Sequence, residues 1–377
     1  MESLYIGLMS GTSLDGIDGV LTDFGPLDRS GTLSVLAHRS RAFGAERARE
    51  LLELNRPGGH DELHRAALAA NALARLSAEV VADLLVSAHI PADRIAAIGA
   101  HGQTVRHRPR EFDAVGYTLQ LNAPALLAEL TGIDVVADFR SRDVAAGGIG
   151  APLVPAFHRA VFGRPGAACA VLNLGGMSNL SALHADGTVT GFDCGPGNVL
   201  LDLWCLRQTG QPYDAAGVWA ATGQVNERLL AALCSEPYFA LSAPKSTGRD
   251  LFHADWLDAR LAAAAATTLR PEDVQATLSA LTAWVCARDV AAHTPEATEL
   301  LVCGGGALNA DLMRRLGTAL PGRKVMGTDA RGLPVQQVEA CAFAWLARAF
   351  VERRPGNLPA VTGARGPRLL GALYPAG

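Results

Sequence analysis

Apolar positions along the chain follow two rhythms, period two in short runs and period three to four in longer ones. Leu4–Met9 is a short apolar run that ends in Ser10-Gly11-Thr12-Ser13-Leu14-Asp15-Gly16, and Ile17–Phe24 resumes the alternation. A strand, a polar glycine turn and a second strand predict a hairpin. Helical spacing follows in Arg47–Leu54 and His64–Val86. Arg94–Ile98 reads as a strand leading into His101-Gly102-Gln103-Thr104. Pro124–Thr131 reads as a helix closed by Gly132, and Ile133–Ala137 as a strand delivering Asp138-Phe139-Arg140.

The glycine-rich stretch Ala145–Gly150, followed by Pro152 and Pro155, breaks the composition and marks a lobe boundary or hinge nearby. Beyond it the opening pattern returns: Ala168–Leu174 is a buried-type strand, Gly175-Gly176-Met177-Ser178-Asn179 a turn, and Leu180–Leu183 a returning strand. Such a repeat at nearly half the chain length predicts two similar lobes. Helical spacing then covers Asn198–Gln208, Val225–Ser235, Asp255–Ala265 and Pro271–Ala292. A strand at Glu299–Cys303 runs into Gly304-Gly305-Gly306 and a helix at Asn309–Leu316. The last helix is Gln336–Glu352, before an irregular Pro/Gly-rich tail.

Composition narrows the class. The chain has 377 residues, too many for one ordinary core, and 49% of them are hydrophobic against 19% charged, so a sizeable interior is expected. The net charge is −4 and the 33 basic residues are scattered, which argues against nucleic-acid or membrane-surface partners. Seven cysteines, none in a C-x-x-C pair, fit a reducing compartment better than a disulfide framework or structural zinc. The N-terminus lacks a basic segment and a long apolar run, so no secretory signal is expected; the Ala-rich run Leu261–Leu269 lacks membrane-spanning length. A soluble cytoplasmic protein is the expectation.

Three apolar strands therefore run straight into polar glycine turns. Such turns present backbone N–H groups with no Cβ in the way, a good fit for phosphate, although Gly and Ser are also ordinary turn residues. The first turn adds the hydroxyls of Ser10, Thr12 and Ser13 and the carboxylates of Asp15 and Asp18, which suit Mg²⁺ through water. Because no Lys follows and a strand rather than a helix comes next, a Walker A loop is excluded, and a Rossmann turn fails likewise. The arrangement resembles the actin, hexokinase and Hsp70 superfamily, whose two lobes each give a hairpin to the phosphates of ATP. That resemblance implies an α/β two-lobed actin-like ATPase with a ribonuclease H-like repeat, binding ATP and a sugar in the interlobe cleft. It makes Ser10, Gly11, Thr12, Ser13, Leu14, Asp15, Gly16, Ile17 and Asp18 the first phosphate loop. Gly175, Gly176, Ser178 and Asn179 become the second, and Gly304, Gly305, Gly306 and Asn309 the adenosine turn. The implied lobes are 1–135 with a returning 345–377, and 136–344.

Local wording is narrower. Gly7–Asp18, Gly99–Thr104, Ala137–Arg140, Gly150–Pro155, Gly191–Asn198, Lys245–Arg249 and Leu370–Pro375 together resemble the anhydro-N-acetylmuramic acid kinases, in order and end to end. The resemblance implies an ATP- and Mg²⁺-dependent phosphotransferase of peptidoglycan recycling and amino-sugar catabolism. In it a 1,6-anhydro sugar is hydrolysed at C1 and phosphorylated on O6, giving N-acetylmuramic acid 6-phosphate. That chemistry needs a base for the attacking water, and the motif makes Asp193 that base; read by itself, Asp193 equally suits an Asx turn before the helix near Asn198. Glu339 reads either as an exposed helix charge or as a carboxylate supporting the same water. His101, Gln103, Thr104, Asp138, Arg140 and Asp143 are candidates for the substrate, with Arg140 suited to a lactyl carboxylate or to an internal Asp partner. Lys245 and Arg249 suit the nucleotide or a turn cap equally. An actin-like filament or chaperone ATPase, and a phosphatase, are the rival classes. A symmetric homodimer is a common assembly for such enzymes, with no interface legible here.

Overall fold

The first sheet begins where the alternation predicts it. In the computed structural model, which describes residues 3–11 and 13–377, β1 (Leu4–Met9) pairs antiparallel with β2 (Gly16–Asp23), and β2 with β3 (Ser34–Ala42). On the other side of β1 lie β4 (Ala97–Ala100) and β7 (Val135–Ala137), both parallel, giving the order β3-β2-β1-β4-β7. A separate hairpin, β5 (Gln103–Pro109) and β6 (Gly116–Leu121), follows β4. The strand expected at Arg94–Ile98 begins later, because Ala92–Arg94 forms a 3₁₀ turn and the ladder with β1 starts at Ala97 opposite Tyr5.

One face of this sheet offers Ile6, Leu8, Ile17 and Leu21, which pack with Leu73, Val80 and Leu84 of the long helix Glu62–Ala88. Each such fully buried side chain contributes about 1.5–3 kcal/mol. The alternate residues of β1 face the helix Val338–Val351. Gly7 and Gly99 stand side by side in the ladder there, and a β-carbon on either would collide with the backbone carbonyl of Ala340 or Phe343. Only glycine lets that helix lie with its backbone against the sheet.

The second sheet repeats the connectivity. β8 (Cys169–Leu174), β9 (Met177–Leu183) and β10 (Val189–Pro196) are antiparallel neighbours. Parallel β11 (Glu299–Cys303) and β12 (Lys324–Gly327) complete the order β10-β9-β8-β11-β12. Leu172, Leu174, Leu180, Phe192 and Cys194 share a core with Leu278, Leu281 and Val285 of the helix Pro271–His293. Asn173, Asn179 and Asp193 lie directly opposite one another across β8, β9 and β10, on the other face. The runs β3-β2-β1-β4-β7 and β10-β9-β8-β11-β12 share order and direction, the duplication expected of an α/β actin-like fold with a ribonuclease H-like repeat.

The chain divides into two compact units, Met1–Val161 with Gln337–Gly377, and Phe162–Gln336. These boundaries differ from the expected 1–135 with 345–377 and 136–344. Contacts between distant segments explain the shift. β7 belongs to the first sheet, and the glycine-rich stretch after it is bound to the C-terminal segment: Ile149 N–H donates to Thr362 O at 2.8 Å and Arg365 N–H to Ala146 O at 2.9 Å. The tail read as irregular contains β13 (Ala372–Tyr374), antiparallel to β7. Among the described residues no helix is long and apolar enough to cross a membrane.

Candidate active site

In the first unit the strand ends of β1 and β4 bring Ser10 and His101 together. Ser10 donates its hydroxyl to Gln103 Oε1, and its carbonyl lies 3.1 Å from His101 Nδ1. Arg140 directs Nε and Nη2 to His101 Nε2 at 3.2 and 2.9 Å, and Nη1 to Gly150 O at 2.8 Å. Arginine can only donate, so Nε2 accepts and the proton sits on Nδ1, aimed at Ser10 O. Burial, with the Arg140 charge second, pushes the His101 pKa down to about 3, so the ring is neutral at ordinary pH. His107 follows the same logic, pushed down to about 4 by burial first and Arg140 second.

Several first-unit candidates turn inward. Asp143 is fully buried; Oδ2 accepts from Gly150 N–H at 2.9 Å, and Oδ1 from Asn357 at 2.7 Å and Thr362 at 2.8 Å. Its carboxylate ties the glycine-rich stretch to the C-terminal segment, with both oxygens engaged there. Gln103 is 1% exposed with Oε1 on Ser10 and Nε2 donating to Thr104 O at 3.3 Å, so its amide is engaged within the protein. Ile17 is a core residue that can offer a ligand only its backbone. Thr104 is half-buried and accepts from Gln120, while Asp138, exposed at φ 58°, accepts from Ser141 at 2.5 Å.

The first glycine turn differs from an ordinary hairpin loop. Leu14 takes a left-handed φ of 61° and donates to Gly11 O, and Gly16 lies so close to Arg41 that a β-carbon would strike its carbonyl. Ser13 and Asp15 are exposed, and Asp18 lies half-buried on β2, 3.5 Å from His38. Thr12 lies outside the described residues. No group of three or more His, Cys, Asp or Glu among the described residues is placed to hold a metal. Mg²⁺ needs no such cage, since it keeps waters and takes one or two carboxylates with phosphate, and hard oxygens at Asp15 and Asp18 suit that pattern. Glu339 is half-buried in the first turn of its helix, beside buried Val338 and Ala340, where the helix N-terminus favours its charge.

In the second unit the first glycine turn is tied to a helix start. Gly175 O accepts from Asn198 N–H at 2.9 Å, and Gly176 O from Gly197 N–H at 2.9 Å and Val199 N–H at 3.1 Å. Trans peptide planes then send the N–H groups of Gly176 and Met177 the opposite way. Ser178 is fully buried with its hydroxyl on Gly195 O at 3.0 Å, so its side chain is turned to the neighbouring strand. Gly304 has φ 81° and donates to Val335 O, followed by the 3₁₀ turn Gly305–Leu308. Asn309 caps the helix Ala310–Ala319, its oxygen accepting from Leu312 N–H at 3.0 Å.

Asp193 stands at a β-bulge of β10, half-buried and beside Asn179. It does not cap the helix near Asn198. Instead Oδ2 accepts from Ser246 Oγ at 2.7 Å and Thr247 N–H at 3.1 Å, while Asp193 N–H donates to Lys245 O at 3.1 Å. Tyr238 donates its hydroxyl to Asp193 O at 2.7 Å, and burial pushes that phenol's pKa well up, so it stays a donor. Sequence reading missed Tyr238, and it left Lys245 open between nucleotide and turn. Lys245 is buried, its Nζ 3.3 Å from Asp289 Oδ2, which excludes a surface role. A lysine followed directly by two hydroxyl residues carries no local sign of burial, because its partner is supplied by a distant helix.

The family described as "Anhydro-N-acetylmuramic acid kinase" matches residues 3–376. A relative of that name from Variovorax paradoxus (strain S110) is 61% identical over 378 residues, covering 99% of each chain. Another from Albidiferax ferrireducens is 59% identical over 397 residues, covering all of both. Solved structures lie further off: an activator of 2-hydroxyisocaproyl-CoA dehydratase from Clostridium difficile aligns over 93% of this chain and 96% of its own, with 11% identity and a TM-score of 0.45. With an end-to-end family match and relatives at this identity, the chain belongs to the anhydro-N-acetylmuramic acid kinase family.

Proposed function

We propose that the chain catalyses the reaction its family name describes, on 1,6-anhydro-N-acetylmuramic acid with ATP as phosphoryl donor. The observation that carries the mechanism is the seating of Asp193, a half-buried carboxylate at a strand bulge, held through Oδ2 by Ser246 and Thr247. A general base needs such fixed geometry within reach of its water. Asp193 takes a proton from water as the water oxygen bonds to C1. The C1–O6 bond breaks, and O6 accepts the γ-phosphoryl group as ADP leaves. The products are N-acetylmuramic acid 6-phosphate, ADP and a proton.

Other residues hold and orient. Ser13 and Asp15 at the first turn and the amides around Gly175–Gly176 at the second suit the phosphates. Asp15 and Asp18 would hold Mg²⁺ through water, and the ion would supply charge neutralisation to the transferring phosphoryl group. Arg140, oriented by neutral His101 and by Gly150 O, suits the lactyl carboxylate, with Thr104 and Asp138 near enough to the same strand ends to read hydroxyls. Glu339 supports the attacking water.

The test mixes the protein, Mg-ATP and 1,6-anhydro-N-acetylmuramic acid and follows nucleotide and sugar by mass spectrometry. The expected product is heavier by one water and one phosphoryl group and forms in equal amount with ADP. Release of ADP with an unchanged sugar would sink the reading and point to an ATP-driven switch; phosphate release without sugar would point to a phosphatase.

A further inference from the structure

Behind Asp193 lies a polar assembly that the proposed chemistry does not use. Lys245 and Asp289 have side chains only 4% and 5% exposed and pair at 3.3 Å. The ammonium sits over two aromatic rings, 5.5 Å from the centre of Phe192 and 5.1 Å from that of Tyr238. Phe192 immediately precedes Asp193 on β10, and Tyr238 donates its hydroxyl to the Asp193 carbonyl at 2.7 Å. Asp289 belongs to the helix Pro271–His293 and is also bonded by Arg288 at 2.6 Å. The carbonyl of Lys245 receives the Asp193 N–H, and the two residues after Lys245 hold the carboxylate.

Removing two charges from water costs several kcal/mol per ion, so a buried ion pair is a poor device for stability alone. What this pair does geometrically is fasten the 245–247 loop, and through it both the backbone and the carboxylate of Asp193, to a helix of the core. We infer that Lys245 and Asp289, with Tyr238, are positioning residues that set the orientation of the Asp193 carboxylate for its attack geometry. The inference rests on Asp193 acting as the base. It assigns to a buried pair control of turnover without control of binding. A displacement of about 1 Å in a catalytic group lowers rate by about a hundredfold.

The experiment compares four variants for melting temperature, kcat, and KM for ATP and sugar. The double change Lys245→Met with Asp289→Asn removes both charges together, so neither is left buried and unpaired. Its expected outcome is a folded protein with kcat lowered about 10- to 100-fold and both KM values within about threefold of the parent. Tyr238→Phe keeps the ring beneath the ammonium and removes only the bond to Asp193 O; its expected loss is smaller, about 3- to 10-fold in kcat alone. Asp193→Asn gives the base's own effect, and adding the double change to it is expected to lower kcat no further, as for groups acting as one unit. A folded double variant with parental kcat, or KM values that rise while kcat holds, overturns the positioning role. Should the double variant fail to fold, Tyr238→Phe decides, and unchanged kcat there overturns it. Activity retained in Asp193→Asn would sink the base assignment itself, an outcome distinct from loss of activity there with full activity in the double variant.

Discussion

β3 and β10 occupy the same place, third in two sheets of one connectivity, and share almost nothing else. Most of β3 lies at the surface, where Arg39 bonds Ser87 and Arg41 bonds Asp83 and Glu79 of the helix Glu62–Ala88. β10 is buried at all but two positions, Thr190 and Asp193. Its outer edge is met by the carbonyl of Lys245, and a bulge follows Asp193. A duplicated fold thus supplies two equivalent strand positions, and what is laid against each strand decides which one can hold a fixed, half-buried carboxylate. Bulges re-aim side chains in this way, and a covered edge holds the re-aimed group still.

The sharpest way to break this comparison is to remove the chemistry from β10. Asp193→Asn is expected to fold, to bind ATP and to lose about a thousandfold or more in kcat, about 4 kcal/mol of barrier. Turnover near that of the parent would take Asp193 out of the mechanism. The first unit should answer in stability instead. Asp143→Ala leaves the N–H of Gly150 and the donors of Asn357 and Thr362 facing a void, an expected loss of about 3 kcal/mol in urea unfolding. An unchanged unfolding midpoint would show that the knot does not hold the C-terminal segment.

A smaller effect comes from pH. His101 is pushed down to about 3 in the fold, whereas an unfolded histidine titrates near 6.5. The unfolded chain therefore binds the extra proton first, so stability present above pH 6.5 is lost as pH falls toward 3. At pH 5 the expected loss is about 2 kcal/mol from this residue, and His101→Gln should flatten that part of a stability-against-pH curve. A variant as acid-sensitive as the parent would contradict the neutral buried ring. Least of all should come from β3: Arg41→Ala removes exposed ion pairs, and both kcat and melting temperature should stay within error, the latter within about 1–2 °C. A clear loss of kcat would mean that β3 also carries function.

Much of the frame was legible because it rests on local rules. β1 and β11 begin and end where the apolar runs do, the helix Pro124–Thr131 stops at Gly132 with φ 66°, and the two strand–glycine–strand patterns became two sheets of equal order. β3 was passed over because an exposed strand carrying Arg39 and Arg41 lacks clean alternation. Among site candidates, the glycine turns and Asp193 could be read by type and setting. Asp143, Gln103, Ser178 and Asn309 read as ligands because a polar side chain beside a glycine turn looks the same whether it points out or in. The partners of Asp143 and Ser178, Thr362 and Gly195, lie on other elements, whereas Asn309 caps its own helix.

By itself, then, the sequence determined the duplicated α/β frame, the glycine turns and the family, since periodicity, missing Cβ atoms and motif order are properties of neighbours along the chain. Which polar groups remain available to a ligand was decided only by tertiary structure. A buried donor or acceptor must find a partner; for Asp143 and Lys245 it came from segments far away in sequence, and for Ser178 from the neighbouring strand. The same necessity turned Lys245 inward onto Asp289 and left Asp193 clamped through Oδ2 but half-buried.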